Sequence, residues 1–359
     1  MSNMSSSSTE SLDDSLKKLK IKSKLLYQTN LMPDVAFKKE IERSPFKVFK
    51  CIADLGYYGW HPKGPYKILT DVTASDIKQN IDIEMKPPLA ESVEDLNEKL
   101  PKYFASLSPQ EYQHKYPYNQ PYITPLYVSV KHKGVKIQDI NFLFGGSVLE
   151  VFANKYIPSG KSYVATVIQG TDIILVAKDD EYIKNYSDDG FQFERLVTGK
   201  KIEDIHDPST LTHLQLMEVS GFCVLFAAEV DAMDDNGKPI EITKSNPRWW
   251  GTRIVFQMLS NGSGTLYSGV NIHGQLMSVQ QRSLSSAIHY ALRYKSCSKL
   301  EENISECMQM LKKSLQNKKI KEGLFLEISF DGSGLVLNSL ENKNQGLLPP
   351  KHVIDQLFL

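Results

Sequence analysis

The stretch FAAEVDAMDDNGKPIEITKS, residues 226–245, places acidic side chains on both sides of a polar turn. Glu229 and Asp231 are two residues apart and share one face of an extended strand; Glu241 shares a face with Thr243 on the strand that follows. Whether the two acidic faces coincide depends on the turn. With Asn236-Gly237 as a two-residue loop, Asp231 lies opposite Ile242 and the carboxylates point to opposite sides. With Asp235-Asn236-Gly237 as a three-residue loop, Gly237 takes the left-handed bulge position and Asp231 faces Glu241. D-N-G suits both loops, so the register stays open.

The second register sets like charges directly opposite, with Cβ atoms roughly 4.5–5.5 Å apart. A divalent cation between them removes that repulsion and supplies charge for phosphate chemistry. Many metal-dependent nucleases carry acidic residues on one strand and Glu-x-Lys on the next. Here the residue two places after Glu241 is Thr243, and the lysine arrives one place late, at Lys244. The plainer alternative is a solvent-exposed acidic hairpin with no ligand.

Composition narrows the field. Of 359 residues, 41% are hydrophobic and 23% charged, an ordinary globular profile long enough for one large domain or two modest ones. Lys plus Arg and Asp plus Glu number 42 each, so no global field draws in a polyanion, and such a partner needs a locally basic cleft. Cys51, Cys223, Cys297 and Cys307 are scattered and form no C-x-x-C pair, which fits a reducing compartment and argues against structural zinc. No apolar run is long enough to span a bilayer, and no membrane association is expected.

The Ser-rich acidic start and the basic run KKLKIKSK (17–24) read as a disordered tail over residues 1–25, the run being a nuclear targeting signal or a solvated surface. Residues 26–359 read as a single domain. VEDLNEKLPKYFASL (93–107) has helical spacing with a break at Pro101. LEENISECMQMLKKSLQNKK (300–319) is a second helix with Leu300, Ile304, Cys307, Met308, Leu311 and Leu315 on one face, closed by Gly323. Strand-like runs are SYVATVI, TDIILVA, CVLFAAEVDA, IEIT, TLYSGVNI and LFLEISF. The fold class is therefore mixed α/β (α+β) with largely antiparallel sheets. Trp249-Trp250 after Arg248 either stack a base or pack in the core. NGSG (261–264) lacks the following Lys and Ser/Thr of a phosphate loop, and His61, His132 and His273 read as surface residues.

Four stretches in order resemble the decapping exoribonucleases of the DXO/Rai family. FAAEVDAMD resembles their Glu-x-Asp strand, and IEITKS their Glu-Leu-Lys-Thr-Ser strand. GFQFERLV (190–197) is similar to their Gly-aromatic-x-x-Glu helix start, and RIVFQMLSNGSGTLYSGVNIHG (253–274) to a helix bearing glutamine followed by a strand. QGTDIILVA (169–177) also resembles the strand upstream of the glutamate helix. The likeness covers roughly residues 140–280.

The resemblance implies two sheets flanked by helices, with a core related to the PD-(D/E)xK nucleases. It also implies Mg²⁺- or Mn²⁺-dependent removal of incomplete, triphosphate, unmethylated or NAD caps from RNA 5′ ends. Some members also digest RNA 5′→3′, and some bind a nuclear 5′→3′ exoribonuclease. A monomer in the nucleus, with some in the cytoplasm, is the matching expectation. Carried across, Glu194, Asp231 and Glu241 hold the cation with the carbonyl of Ile242. Glu229 holds or polarises a metal-bound water, and Gln257 orients the scissile phosphate, with Arg253 and Lys244 as further phosphate contacts. Two positions depart from the pattern. The family's lysine falls on Thr243, and Lys244 takes its place only if a bulge turns it inward; the family's arginine falls on Gly145. Both are cations that neutralise phosphate charge.

Overall fold

The computed structural model describes residues 32–61, 71–104, 113–115, 120–179, 183–185, 189–200, 210–247, 250–317, 325–332, 334–339 and 347–359. The tail expected over residues 1–25, Gly323, Arg248 and Trp249 lie outside them.

Along the chain the helices are α1 (Val35–Arg43), α2 (Ala74–Gln79), α3 (Val93–Glu98), α4 (Thr124–Lys131) and α5 (Gly146–Asn154). They continue with α6 (Asp189–Val197), α7 (Thr252–Asn261), α8 (Leu284–Leu292), α9 (Cys297–Asn317) and α10 (Lys351–Phe358). The strands are β1 (Phe49–Trp60), β2 (Ile81–Asp82), β3 (Lys102–Tyr103), β4 (Gln113–Lys115), β5 (Phe142–Phe144), β6 (Tyr163–Val167), β7 (Ile174–Lys178) and β8 (Ile183–Asn185). After them come β9 (Thr210–Val219), β10 (Phe222–Glu229), β11 (Ala232–Met233), β12 (Pro239–Thr243), β13 (Thr265–Ile272), β14 (Gln275–Ser283), β15 (Leu326–Asp331) and β16 (Gly334–Ser339).

Nine strands form one sheet in the order β16-β15-β6-β7-β5-β10-β9-β1-β2, and five form a second in the order β11-β12-β13-β14-β3; β4 and β8 pair separately. Most pairs are antiparallel. The exceptions are β5 with its neighbours β7 and β10, and β12 with β13. The expected mixed architecture of two largely antiparallel sheets flanked by helices is what the chain adopts.

Alternation along the nine-stranded sheet fills two cores. Phe142, Phe144, Val224 and Phe226 face α5, α7, α8 and α9, while Leu143, Leu214, Leu216 and Leu225 face α2, α4 and α10. On α9 the six residues predicted to share a face are all buried. A third core lies between the five-stranded sheet and α3 and α6, with Leu96, Phe193, Ile240, Ile242 and Tyr267. Trp250 is core as well, its ring edge-on to Tyr290 at 5.7 Å and its Nε1–H donating to Ser245 O at 2.8 Å.

The helix expected from residue 93, with a break at Pro101, ends before that proline. Ser92 caps it by accepting from Asp95 N–H at 3.1 Å, but it stops at Glu98. Pro101 lacks the N–H a continuing helix needs and crowds the preceding turn, and Lys102–Tyr103 leave as an edge strand beside β14.

The chain passes from the larger sheet to the smaller between β10 and β11, through Val230 and Asp231 alone. Two glycines let helices close on that crossing. A Cβ on Gly145 would sit 3.2 Å from Ala227 O on β10, and one on Gly146 would meet Phe256 O of α7 at 2.6 Å. Gly146→Ala is therefore expected to lower unfolding free energy by ~1–3 kcal/mol through overpacking, read as a shifted urea midpoint at unchanged slope.

Candidate functional site

The β11–β12 hairpin takes the three-residue register. Ala232 pairs with Ile240 and Met233 with Pro239, which sets Asp231 opposite Glu241. Asp234 makes the choice. Its carboxylate accepts from Asn236 N–H at 2.9 Å and Lys238 N–H at 2.8 Å, an Asx turn that demands the longer loop. Gly237, at φ +75°, occupies the left-handed position, and its N–H donates to Asp234 O at 2.9 Å. The hairpin is not a free surface feature. Tyr57 Oη donates to Gly237 O at 3.1 Å, and Lys238 forms an ion pair with Asp34, the N-cap of α1.

At its base the carboxylates gather. Asp231 Oδ2 accepts from Ile242 N–H at 2.9 Å. Glu241 is only 5% exposed and accepts from Asn261 Nδ2 at 2.6 Å. Its carboxyl is held well above the ordinary glutamate range, first by burial, then by the charge of Asp231, with Glu194 adding to the effect. The hydrogen bond from Asn261 and the charge of Arg253 act the other way without prevailing. Glu194 and Asp231 are thus both within electrostatic reach of Glu241, although the three come from α6, the sheet crossing and β12. Glu229 is exposed at the end of β10, opposite Thr212 of β9.

Arg253, Gln257 and Asn261 follow one another at intervals of four along α7 and so form one stripe. Arg253 and Asn261 both act on Glu241, which puts Gln257 on the stripe that borders the carboxylates. All three acidic side chains offer hard oxygen donors of the kind Mg²⁺, Mn²⁺ and Ca²⁺ prefer, and their mutual repulsion is what a cation would relieve. Among the described residues, no three His, Cys, Asp or Glu side chains are grouped closely enough to hold an ion as they stand. The donor chemistry fits a hard cation, and ligation requires the side chains to draw together.

The two departures have clear structural expression. Thr243 lies on the Glu241 face of β12, and its hydroxyl pairs with Ser245 Oγ at 2.9 Å. Lys244 does not turn inward. β12 runs without a bulge against β13, so Lys244 projects to the other face, forms an ion pair with Asp189 of α6 and lies 5.9 Å from the centre of the Phe104 ring. The inward turn needed for the phosphate contact expected of it is absent. Gly145 is the N-cap of α5, packed beside the Ala227 carbonyl, a position that offers the cleft no cation.

Sequence reading missed Asn261, the side chain that holds Glu241, and the residues that in turn hold Asn261. His213 Nδ1 is 2.8 Å from Asn261 O, and His213 Nε2 is 2.8 Å from Asp54 Oδ1. No motif marks this set; the one available signal was the pair of polar residues His213 and Gln215 set among leucines on β9.

Glu241 keeps its proton in the folded chain at pH values where the unfolded chain has released it. In metal-free buffer its contribution to stability is therefore whole below the ordinary value of 4.5 and is lost as pH rises through the raised folded value. Glu241→Gln is expected to flatten that slope, measured by denaturant unfolding of both proteins across a pH series.

No protein-family model matches the sequence, and no curated protein matches it. Solved structures do. Rai1 of S. pombe in complex with 3′-FADP superposes with a TM-score of 0.58 at 13% identity, over 84% of this chain and 98% of its own. Rai1 of Candida albicans in complex with pU5-Mn²⁺ gives 0.58 at 11% identity, over 85% and 94%. Dxo1 of K. lactis in complex with manganese gives 0.55 at 13% identity, over 87% and 96%. Nearly the whole length of these proteins finds a counterpart in two sheets and flanking helices of this chain, which therefore has the Rai1/Dxo1 fold that its four ordered motifs resemble.

Proposed function

We propose that the chain is a divalent-cation-dependent hydrolase of RNA 5′ ends, acting on triphosphate, unmethylated or NAD-capped termini. The observation that carries this reading is the register that sets Asp231 opposite a buried Glu241, with Glu194 in electrostatic range, inside the Rai1/Dxo1 fold. Manganese in the Dxo1 structure and pU5 with Mn²⁺ in the Candida Rai1 structure support the cation and the RNA 5′ segment as ligands here.

Glu194, Asp231, Glu241 and the Ile242 carbonyl would hold the cation, which when bound supplies positive charge against phosphate. Asp231 is oriented for this by the Ile242 N–H, and Glu241 by Asn261. Glu229, exposed at the strand end, would hold a water, and Gln257, on the stripe with Arg253 and Asn261, would orient phosphate. Arg253 is the cation of α7 whose charge bears on Glu241. A second reading, an RNA-end binder with little turnover, is favoured by Thr243 and by the outward turn of Lys244.

The test is hydrolysis of RNAs bearing triphosphate, unmethylated guanosine and NAD 5′ ends, with Mn²⁺ or Mg²⁺. The hydrolase reading expects turnover in the wild type, lost in Glu241→Gln. It also expects Thr243→Lys to raise the rate by ~10²-fold, the scale of one well-placed charge-stabilising group. Tight binding of the same RNAs without turnover in any variant selects the second reading, and neither binding nor turnover overturns both.

A further inference from the structure

β9 reads Thr-His-Leu-Gln-Leu-Met over residues 212–217. Its alternation sends Leu214 and Leu216 into one core and turns His213 and Gln215, with Met217, towards α7. Both polar residues are buried, His213 at 2% and Gln215 at 4% exposure. They meet the C-terminal end of α7, whose last carbonyls have no acceptor role left within the helix. The Gln215 amide donates to Leu259 O, and His213 Nδ1 reaches Asn261 O at 2.8 Å. Gly262 ends the helix at φ +74°, and a Cβ there would stand 2.9 Å from His213 Cε1, so the ring and the glycine fit each other.

On the far side of the ring, Nε2 lies 2.8 Å from Asp54 Oδ1 of β1. A backbone carbonyl can only accept. Burial pushes the Asp54 carboxyl up, but the hydrogen bond and charge of His213 outweigh it, with Gly56 N–H and Lys238 assisting, and the carboxyl ends below its ordinary value. Both ring nitrogens face oxygen atoms, so the ring bridges Asp54 of β1 to the last residue of α7. The surroundings carry charge of both signs, Asp54 from β1, Asp34 from the cap of α1, and Lys238 and Asp234 from the hairpin, while burial keeps Cys51 and Tyr57 uncharged. Tyr57 covers the ring at 4.7 Å between centroids.

We propose that the buried Asp54–His213 pair is the positioning device of the carboxylate cleft: the imidazole ring, fixed by Asp54, holds the Asn261 carbonyl so that the Asn261 side-chain amide stays on Glu241. Its value to function rests on reading Glu241 as a cation ligand; the positioning itself does not. The pair acts through one residue, Asn261, which turns its backbone to His213 and its side chain to Glu241.

The test uses the full chain, metal-free, with nuclear magnetic resonance of the Asn261 side-chain amide. His213→Gln, which lacks the ring that bridges the two oxygens, should speed exchange of the Asn261 side-chain amide about tenfold, the scale of one hydrogen bond, while β9 and β10 backbone amides keep their protection. Asp54→Asn should do the same, and stands in if His213→Gln fails to fold. An Asn261 amide unmoved in the folded variants overturns the proposal. Mn²⁺ titration of the wild type separates the two ideas: absence of binding with the amide result intact sinks the cation reading and leaves the positioning standing.

Discussion

The carboxylate of Asp231 accepts a hydrogen bond from the backbone of Ile242 at the point where the chain leaves one sheet for the other. The rest of the cleft follows from that contact. Only two residues, Val230 and Asp231, separate β10 from β11, so the second sheet cannot rotate freely against the first. The Asp231–Ile242 bond fixes the remaining freedom by tying the crossing to the middle of β12. A slip of one residue would turn Glu241 into the third core, among Phe193 and Tyr267, and bring Ile242 to the cleft. The Asx turn at Asp234 and the docking of Gly237 on Tyr57 act on the same register from the other end.

Much of this was legible in the sequence because it was carried by local chemistry. The apolar stripe of α9 and the β-branched runs of β6, β7, β10 and β13 have one period each, and the structure uses that period. The hairpin was legible as a choice between two registers. What decided it was Asp234, whose side chain selects the loop by accepting the backbone N–H groups of Asn236 and Lys238, a local choice that D-N-G alone does not reveal.

β9 was illegible for a different reason. Alternation of Leu with His and Gln normally marks a strand with one wet face. Both faces of β9 are covered, and its polar residues are inside because the end of α7 presents carbonyls that need donors. Partners on β1, β9 and α7, separated by more than 150 residues between Asp54 and His213, leave no spacing to find. The break read at Pro101 was legible, because a missing N–H is a local fact: the helix from Val93 ends at Glu98, before that proline.

The lysine that arrives one place late has been moved from chemistry to architecture. Lys244 joins β12 to the first turn of α6, the helix that carries Glu194, while Glu241 sits three residues before it on the same strand. The ion pair behind the sheet therefore helps set the span between two acidic side chains in front of it. Its carboxylate side chain is 49% exposed, so dissolved ions screen it readily. Ionic strength thus has a route to the cleft that does not pass through its mouth: salt weakens one tie between α6 and β12 from the rear, while the buried Phe193 and Val197 keep the helix packed on the sheet.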